Sequence, residues 1–205
     1  MRYSFDQGDI DRIAEAIRRT ETATSGEIFC VLARASGSYR TYPLVFAFLI
    51  GLLVPLPLLY LTFTSAIAIY AAQLGTALVL ALLLNHRALR FAIVPKRVKH
   101  DRAHAEAQKQ FAAHGLHQTQ ARTGVLIFVS LAERYVEVVA DAGISGKVQE
   151  QVWDEAVKVL IAAIKRDELG NGFIEAIGIC GKVLAEHFPP GAMNKDELPN
   201  RLVLL

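Results

Sequence analysis

His100 and His104 stand four residues apart in a stretch of helical character. That spacing lets two imidazoles share a metal ion when a third ligand converges. Asp101, Arg102 and Ala103 lie between them, without the glutamate of the zinc-protease helix. With no third ligand evident, the pair reads as a solvated face. His114 and His117 read as polar loop residues at a helix end, and His187 as a partner of its own helix's last carbonyls. Ser130 and Ser145 have no evident histidine partner, and no Gly-x-Gly-x-x-Gly, P-loop or Gly-x-Ser-x-Gly pattern occurs. Arg122 and Arg134 could hold a phosphate group, but no nucleophile accompanies them. No catalytic residue is assigned. Cys30 and Cys180 lack any partner spacing and read as reduced, apolar fillers of a cytoplasmic domain, with no disulfide.

The framework that carries these residues is dominated by the stretch 43–84. It contains no Asp, Glu, Lys, Arg or His, and Gln73 is its one strongly polar side chain. A hydrocarbon core roughly 30 Å thick needs about 20 apolar residues of helix. The run therefore fits two crossings, 43–62 and 65–84, joined by Phe63 and Thr64 as a transmembrane helical hairpin. The rival reading is two buried helices of a soluble core. It needs polar helices wrapped around the pair, whereas the rest of the chain already reads as a complete domain. A secretory signal is shorter than this run. Pro55 and Pro57 each remove a helical hydrogen bond, so the first crossing is expected to be kinked or re-entrant.

Arg34 and Arg40 precede the run, and Arg87, Arg90, Lys96, Arg97, Lys99 and Arg102 follow it, against Asp101 alone. The positive-inside bias puts both flanks, hence both termini, on the cytoplasmic side of the plasma (inner) membrane. Arg87, Arg90, Lys96, Arg97 and Lys99 would meet anionic lipid headgroups. The net charge is only +2, and a single aromatic, Phe91, stands within the basic cluster. These features argue for the lipid bilayer and against nucleic acid as the partner.

The soluble remainder alternates helices with apolar strands. Ile10, Ile13, Ala14 and Ile17 mark one buried stripe of a first helix that Asp6 can cap, and residues 27–33 follow as a strand. Residues 98–115 read as a helix ending at Gly115, with Ala103, Ala107, Phe111 and Ala112 inward. Strands 124–131 and 134–141 form a hairpin with a gap of about two or three residues. A helix from about 146 to 165 and another over 173–188 complete the order, with Trp153 partly buried against the sheet. The fold class is α/β, a small mixed sheet flanked by helices and interrupted by the two-helix hairpin. The segments are 1–33 and 98–189 as two parts of one domain, 34–42 as linker, 43–84 as hairpin, and 85–97 as a basic juxtamembrane segment. The tail, 190–205, is expected to be largely disordered or docked on the membrane or a partner.

T-S-G-E-I (24–28), R-T-G-V-L-I-F-V-S (122–130), E-R-Y-V-E-V-V-A-D-A-G-I (133–144) and G-F-I-E-A-I…L…H-F-P (172–189) resemble the TPM domain family. More narrowly, they resemble its bacterial membrane branch, where a hydrophobic hairpin interrupts the domain after its first strand. The resemblance implies an α/β/α sandwich. Members are reported as calcium-binding acid phosphatases in plants, as photosystem-repair factors and as accessory proteins of membrane complexes, so it implies no single activity. It implies calcium as the candidate cation, held in much of the family by an acidic or amide-rich stretch ahead of the strand at 124–130. Here that stretch reads Gln120-Ala121-Arg122-Thr123, a departure from the pattern. A hairpin turning near Ala132 sets Asp141 opposite residue 122 or 123, so Asp141 is expected to face Arg122, as an ion-paired or turn-capping residue. Asp141, Arg122, Glu27 and Glu133 form the candidate polar cluster. Calcium takes six to eight oxygens, which these carboxylates do not obviously supply. Two readings stand: an accessory or binding module that assists a membrane protein complex, and a membrane-tethered, metal-dependent acid phosphatase-like hydrolase.

Overall fold

The computed structural model describes residues 7–61, 65–190 and 197–205, apart from the side chains of Leu61, Arg87, Ala88 and Glu150. The expected cap at Asp6 and the expected link through Phe63 and Thr64 fall outside these residues. In chain order the elements are α1 (Gln7–Glu21), β1 (Glu27–Ala33), α2 (Thr41–Leu53), α3 (Pro55–Leu61), α4 (Ala66–Leu84), α5 (Arg87–Ile93) and α6 (Lys96–Ala113). After these come β2 (Gly124–Ser130), β3 (Tyr135–Ala140), α7 (Ala142–Ser145), α8 (Asp154–Arg166), α9 (Leu169–His187) and β4 (Leu202–Leu204). Two compact units result, one from residues 1–36 with 100–205 and the other from residues 37–99.

The first unit is a mixed α/β fold built on a four-stranded sheet of order β3-β2-β1-β4. β1 runs parallel to β2 and to β4, and β3 is antiparallel to β2. Every residue of β1 and β2 is buried, as expected of central strands covered on both faces. Side chains alternate between faces along a strand. Ile28, Cys30, Leu32, Val125, Ile127 and Val129 join the core made with Ile13 and Ile17 of α1, Leu160 of α8 and Phe173 of α9. Phe29, Val31, Leu126 and Phe128 point the other way, onto Ala103, Ala107 and Phe111 of α6. The small alanines of α6 allow that helix to lie close on the sheet.

The last helix starts four residues earlier than expected, at Leu169, and three further differences bear on the polar residues and the tail. The hairpin loop, 131–134, is four residues long and Arg134 takes φ 54°, so Ser130 pairs with Tyr135 and Val125 with Ala140. The longer loop shifts the register, and the Asp141 amide donates to the Gly124 carbonyl at 2.9 Å, opposite neither residue 122 nor 123. The helix expected from 146 starts at Asp154, because a short 3-10 turn (Glu150–Trp153) precedes it and Trp153 is buried at 5% exposure. The tail, expected to be disordered or docked elsewhere, carries β4: Leu202, Val203 and Leu204 pair with Cys30, Val31 and Leu32. Burial of Leu202 against the core and two flanking bonds, Leu205 N to Leu32 O and Arg34 N to Leu205 O, hold it there.

The second unit contains two stretches long and apolar enough to cross a membrane, Thr41–Tyr60 and Ala66–Leu84. The first is broken at Val54, whose amide donates to Gly51 O at 3.2 Å. Pro55 then opens α3, the helical position where a missing N–H costs least. Gly51 permits close packing of α2 on α4, since a Cβ there would lie 3.0 Å from the Ala77 Cβ. Ser65 caps α4 by accepting from Ala68 N.

Candidate functional site

Three polar groupings stand out in the first unit. The first lies where β3 ends and α7 begins. Asp141 is buried, and its Oδ1 accepts from the Ala142 amide at 2.7 Å while lying 3.8 Å from Arg122 Nη1. Its Oδ2 is buried without a hydrogen-bond partner among the described residues. Arg122 reaches Asp141 despite the shifted register because it takes a left-handed φ of 55° and its carbonyl accepts from Gly143 N at 3.1 Å. Gly143 is required for that approach, since a Cβ there would lie 2.5 Å from the Arg122 carbonyl oxygen.

Glu27 begins β1 beside this corner, but its oxygens accept from the amides of Glu197 and Leu198, each at 3.3 Å. Glu197 in turn accepts from Gln120 N at 3.0 Å. Glu27 thus pins the C-terminal segment to the sheet. The neighbouring T-S-G stretch does similar work: Thr24 Oγ1 donates to Phe188 O at 2.7 Å and Thr123 Oγ1 to Ser25 O at 2.9 Å.

Glu133 belongs to the second grouping, at the far end of the β2–β3 hairpin. It is buried, accepting from Ser130 Oγ at 2.5 Å and from Ser36 N at 3.1 Å, while Ser36 Oγ donates to Ser130 Oγ at 2.8 Å. A strand of this length spans about 20 Å, so Glu133 and Arg134 are separated from Asp141 and Arg122 by the length of the hairpin. The four residues of the expected cluster therefore form two separate corners, and Arg122 and Arg134 do not share one anion. Among the described residues no three His, Cys, Asp or Glu side chains come together as a metal set. The Asp141 corner, with one carboxylate beside a guanidinium, does not fit the six to eight oxygens of calcium.

The third grouping was not legible in the sequence. His104 Nδ1 lies 2.9 Å and 3.1 Å from the two oxygens of Glu137, and Tyr135 Oη donates to Glu137 Oε2 at 3.0 Å. The His100 ring meets the Tyr135 ring edge-on, with centroids 5.3 Å apart. Burial first, then the charge and hydrogen bond of Glu137, raise the Tyr135 phenol above its ordinary range, so it stays a donor. Glu137 shares a strand face with Tyr135 and Val139, which pack toward α6. A carboxylate between two inward residues was the available signal.

The TPM domain matches residues 71–183, a little over half of the chain. The chain belongs to the TPM domain family. Its fold is similar to the NMR structure of the BA42 protein from the psychrophilic bacterium Bizionia argentinensis. That likeness has a TM-score of 0.61 at 20% identity, covering 98% of this chain and 95% of that one. No curated protein matches it. The stretches 24–28 and 122–130, of which the second lies within the matched residues, turn out to be joints: they tie the start of β1 to the end of α9 and to the strand beside it. His114, read as a loop residue, is half-buried and lies with its ring 4.4 Å from that of Phe29. Cys30 and Cys180 are buried free thiols of this TPM core. Burial, with smaller effects from Cys180 and Glu21, raises the Cys30 thiol well above its ordinary range, and burial pushes Cys180 up to about 12. Both therefore remain protonated and poorly nucleophilic. Of the basic residues assigned to headgroups, Lys96 and Arg97 are exposed, while Lys99 Nζ donates to the Phe91 carbonyl at 3.1 Å. Arg90 is half-buried, with its guanidinium 5.7 Å from the Phe91 ring, and the Arg87 side chain lies outside the described residues.

Proposed function

We propose that this chain is a membrane-anchored TPM domain whose apolar unit is a transmembrane hairpin and whose α/β unit serves as an accessory or binding module for a membrane protein complex. One observation carries the anchoring: only 17% and 6% of the residues in the two long apolar stretches are buried. A soluble core helix hides its large side chains, whereas Tyr60 and Ile67 here are 87% and 83% exposed. So continuous an apolar surface is stable in lipid and unfavourable in water. With basic residues on both sides of the hairpin and none within it, both termini face the cytoplasm. Lys96 and Arg97 meet anionic headgroups there.

The binding-module reading is supported by the polar corners. Arg122 brings a positive charge to 3.8 Å from Asp141, Glu27 is engaged with main-chain amides, and Glu133 is at the other end of the hairpin. Extraction of native membranes in a mild detergent, followed by affinity purification of the chain, tests it. A membrane protein retained at stoichiometric level is the expected result. Recovery of the chain alone contradicts it.

A hydrolase reading is favoured by one feature, the buried Asp141 oxygen without a hydrogen-bond partner among the described residues. Phosphate release by the detergent-purified chain across pH 4–8, with calcium or chelator, separates the two. Release that is lost in Asp141→Asn establishes the hydrolase; no release in any condition leaves the binding module.

A further inference from the structure

We propose that His100 and His104 are the protein ligands of a divalent transition-metal site on the exposed flank of α6 beside β3, with Glu137 as its outer carboxylate. The spacing within α6 brings the two imidazoles onto one face, one turn apart. Glu137, from a strand 33 residues further along, accepts a hydrogen bond at His104 Nδ1. A carboxylate accepts only, so Nδ1 carries a proton, and in the neutral imidazole that binds a metal the lone pair is on Nε2. Metal-ligating histidines are held in this way: the second ring nitrogen donates to a carboxylate, which fixes the tautomer and raises ligand basicity.

The carboxylate is itself held. Tyr135 Oη donates to Glu137 Oε2, and the Tyr135 ring is the one that His100 meets edge-on. One phenol therefore steadies both histidines, one through its ring and the other through the carboxylate. The His104 side chain remains 53% exposed, so its free nitrogen is open to a metal arriving from solvent, and His100 is also exposed. Two imidazole nitrogens select zinc, copper or nickel over calcium or magnesium. Because no third protein ligand converges among the described residues, water fills the remaining positions and the metal stays open to exchange. This site is separate from the Asp141 corner and does not depend on whether the domain hydrolyses phosphate esters.

Titration of zinc ions into the full chain in detergent at neutral pH, read calorimetrically, tests the site. One saturable equivalent is expected. His104→Ala and, separately, His100→Ala remove it, and both residues are exposed, so the fold is retained. Glu137→Gln weakens it about 10- to 100-fold, as loss of an outer carboxylate does. His187→Ala, far from the cluster in sequence, leaves it unchanged. Absence of saturable binding overturns the proposal. So does binding that survives His104→Ala, or binding that Glu137→Gln leaves unaltered, which would mark adventitious capture by surface imidazoles.

Discussion

Arg122 Nη1 lies 3.8 Å from Asp141 Oδ1, at a corner where the same oxygen also accepts from the Ala142 amide at 2.7 Å. The two contacts differ in worth. The arginine side chain is 58% exposed, so solvent screens the pair and its contribution is at most about 1 kcal/mol. The capping bond is made by a buried carboxylate, and such a cap is worth about 0.5–2 kcal/mol. Asp141→Ala is therefore expected to destabilise the domain more than Arg122→Ala. Trp153, buried and the chain's one tryptophan, reports the unfolding. Equal losses in the two variants would contradict this ordering.

The Glu133 corner makes a stronger demand. Ser130 is fully buried and donates to a buried carboxylate at 2.5 Å. Ser130→Ala leaves Glu133 with the Ser36 amide as its remaining donor among the described residues. Loss of a donor to a buried charged acceptor costs about 1–3 kcal/mol. A fall in denaturation midpoint of that size is expected, and an unchanged midpoint would show that Glu133 is satisfied in another way.

His114 supplies a pH dependence. Burial, and then the charge of Arg201, lower its pKa below the ordinary 6.5. The unfolded chain therefore binds this proton at higher pH than the folded one. The contribution of His114 is complete above pH 6.5 and is lost as pH falls from there through the lower folded value. His114→Gln should flatten the fall in melting temperature between about pH 7 and pH 5. An identical slope in the variant would remove His114 as the cause.

The apolar helices and the buried strands were readable because their signals are local. A charge-free run needs no knowledge of what lies beside it, and the alternation of Tyr135, Glu137 and Val139 with Val136, Val138 and Ala140 already divides the two faces of β3. What depended on distant pairing was missed. One or two extra residues in the 131–134 loop moved Asp141 opposite Gly124. β4 is three residues long, too short for a periodic signal, and is defined by its ladder with β1. Its companion Glu27 looked like a ligand because the amides it serves lie some 170 residues away. Glu137 completed the histidine pair only after the fold brought β3 beside α6.

Anchoring by the hairpin is tested most directly by washing membranes that carry the full chain at high pH and high salt. High salt screens headgroup attraction and leaves only the apolar contribution. The chain is predicted to stay in the pellet, and a variant lacking residues 43–84 to leave it. Release of the full chain into the supernatant would contradict the membrane-spanning hairpin.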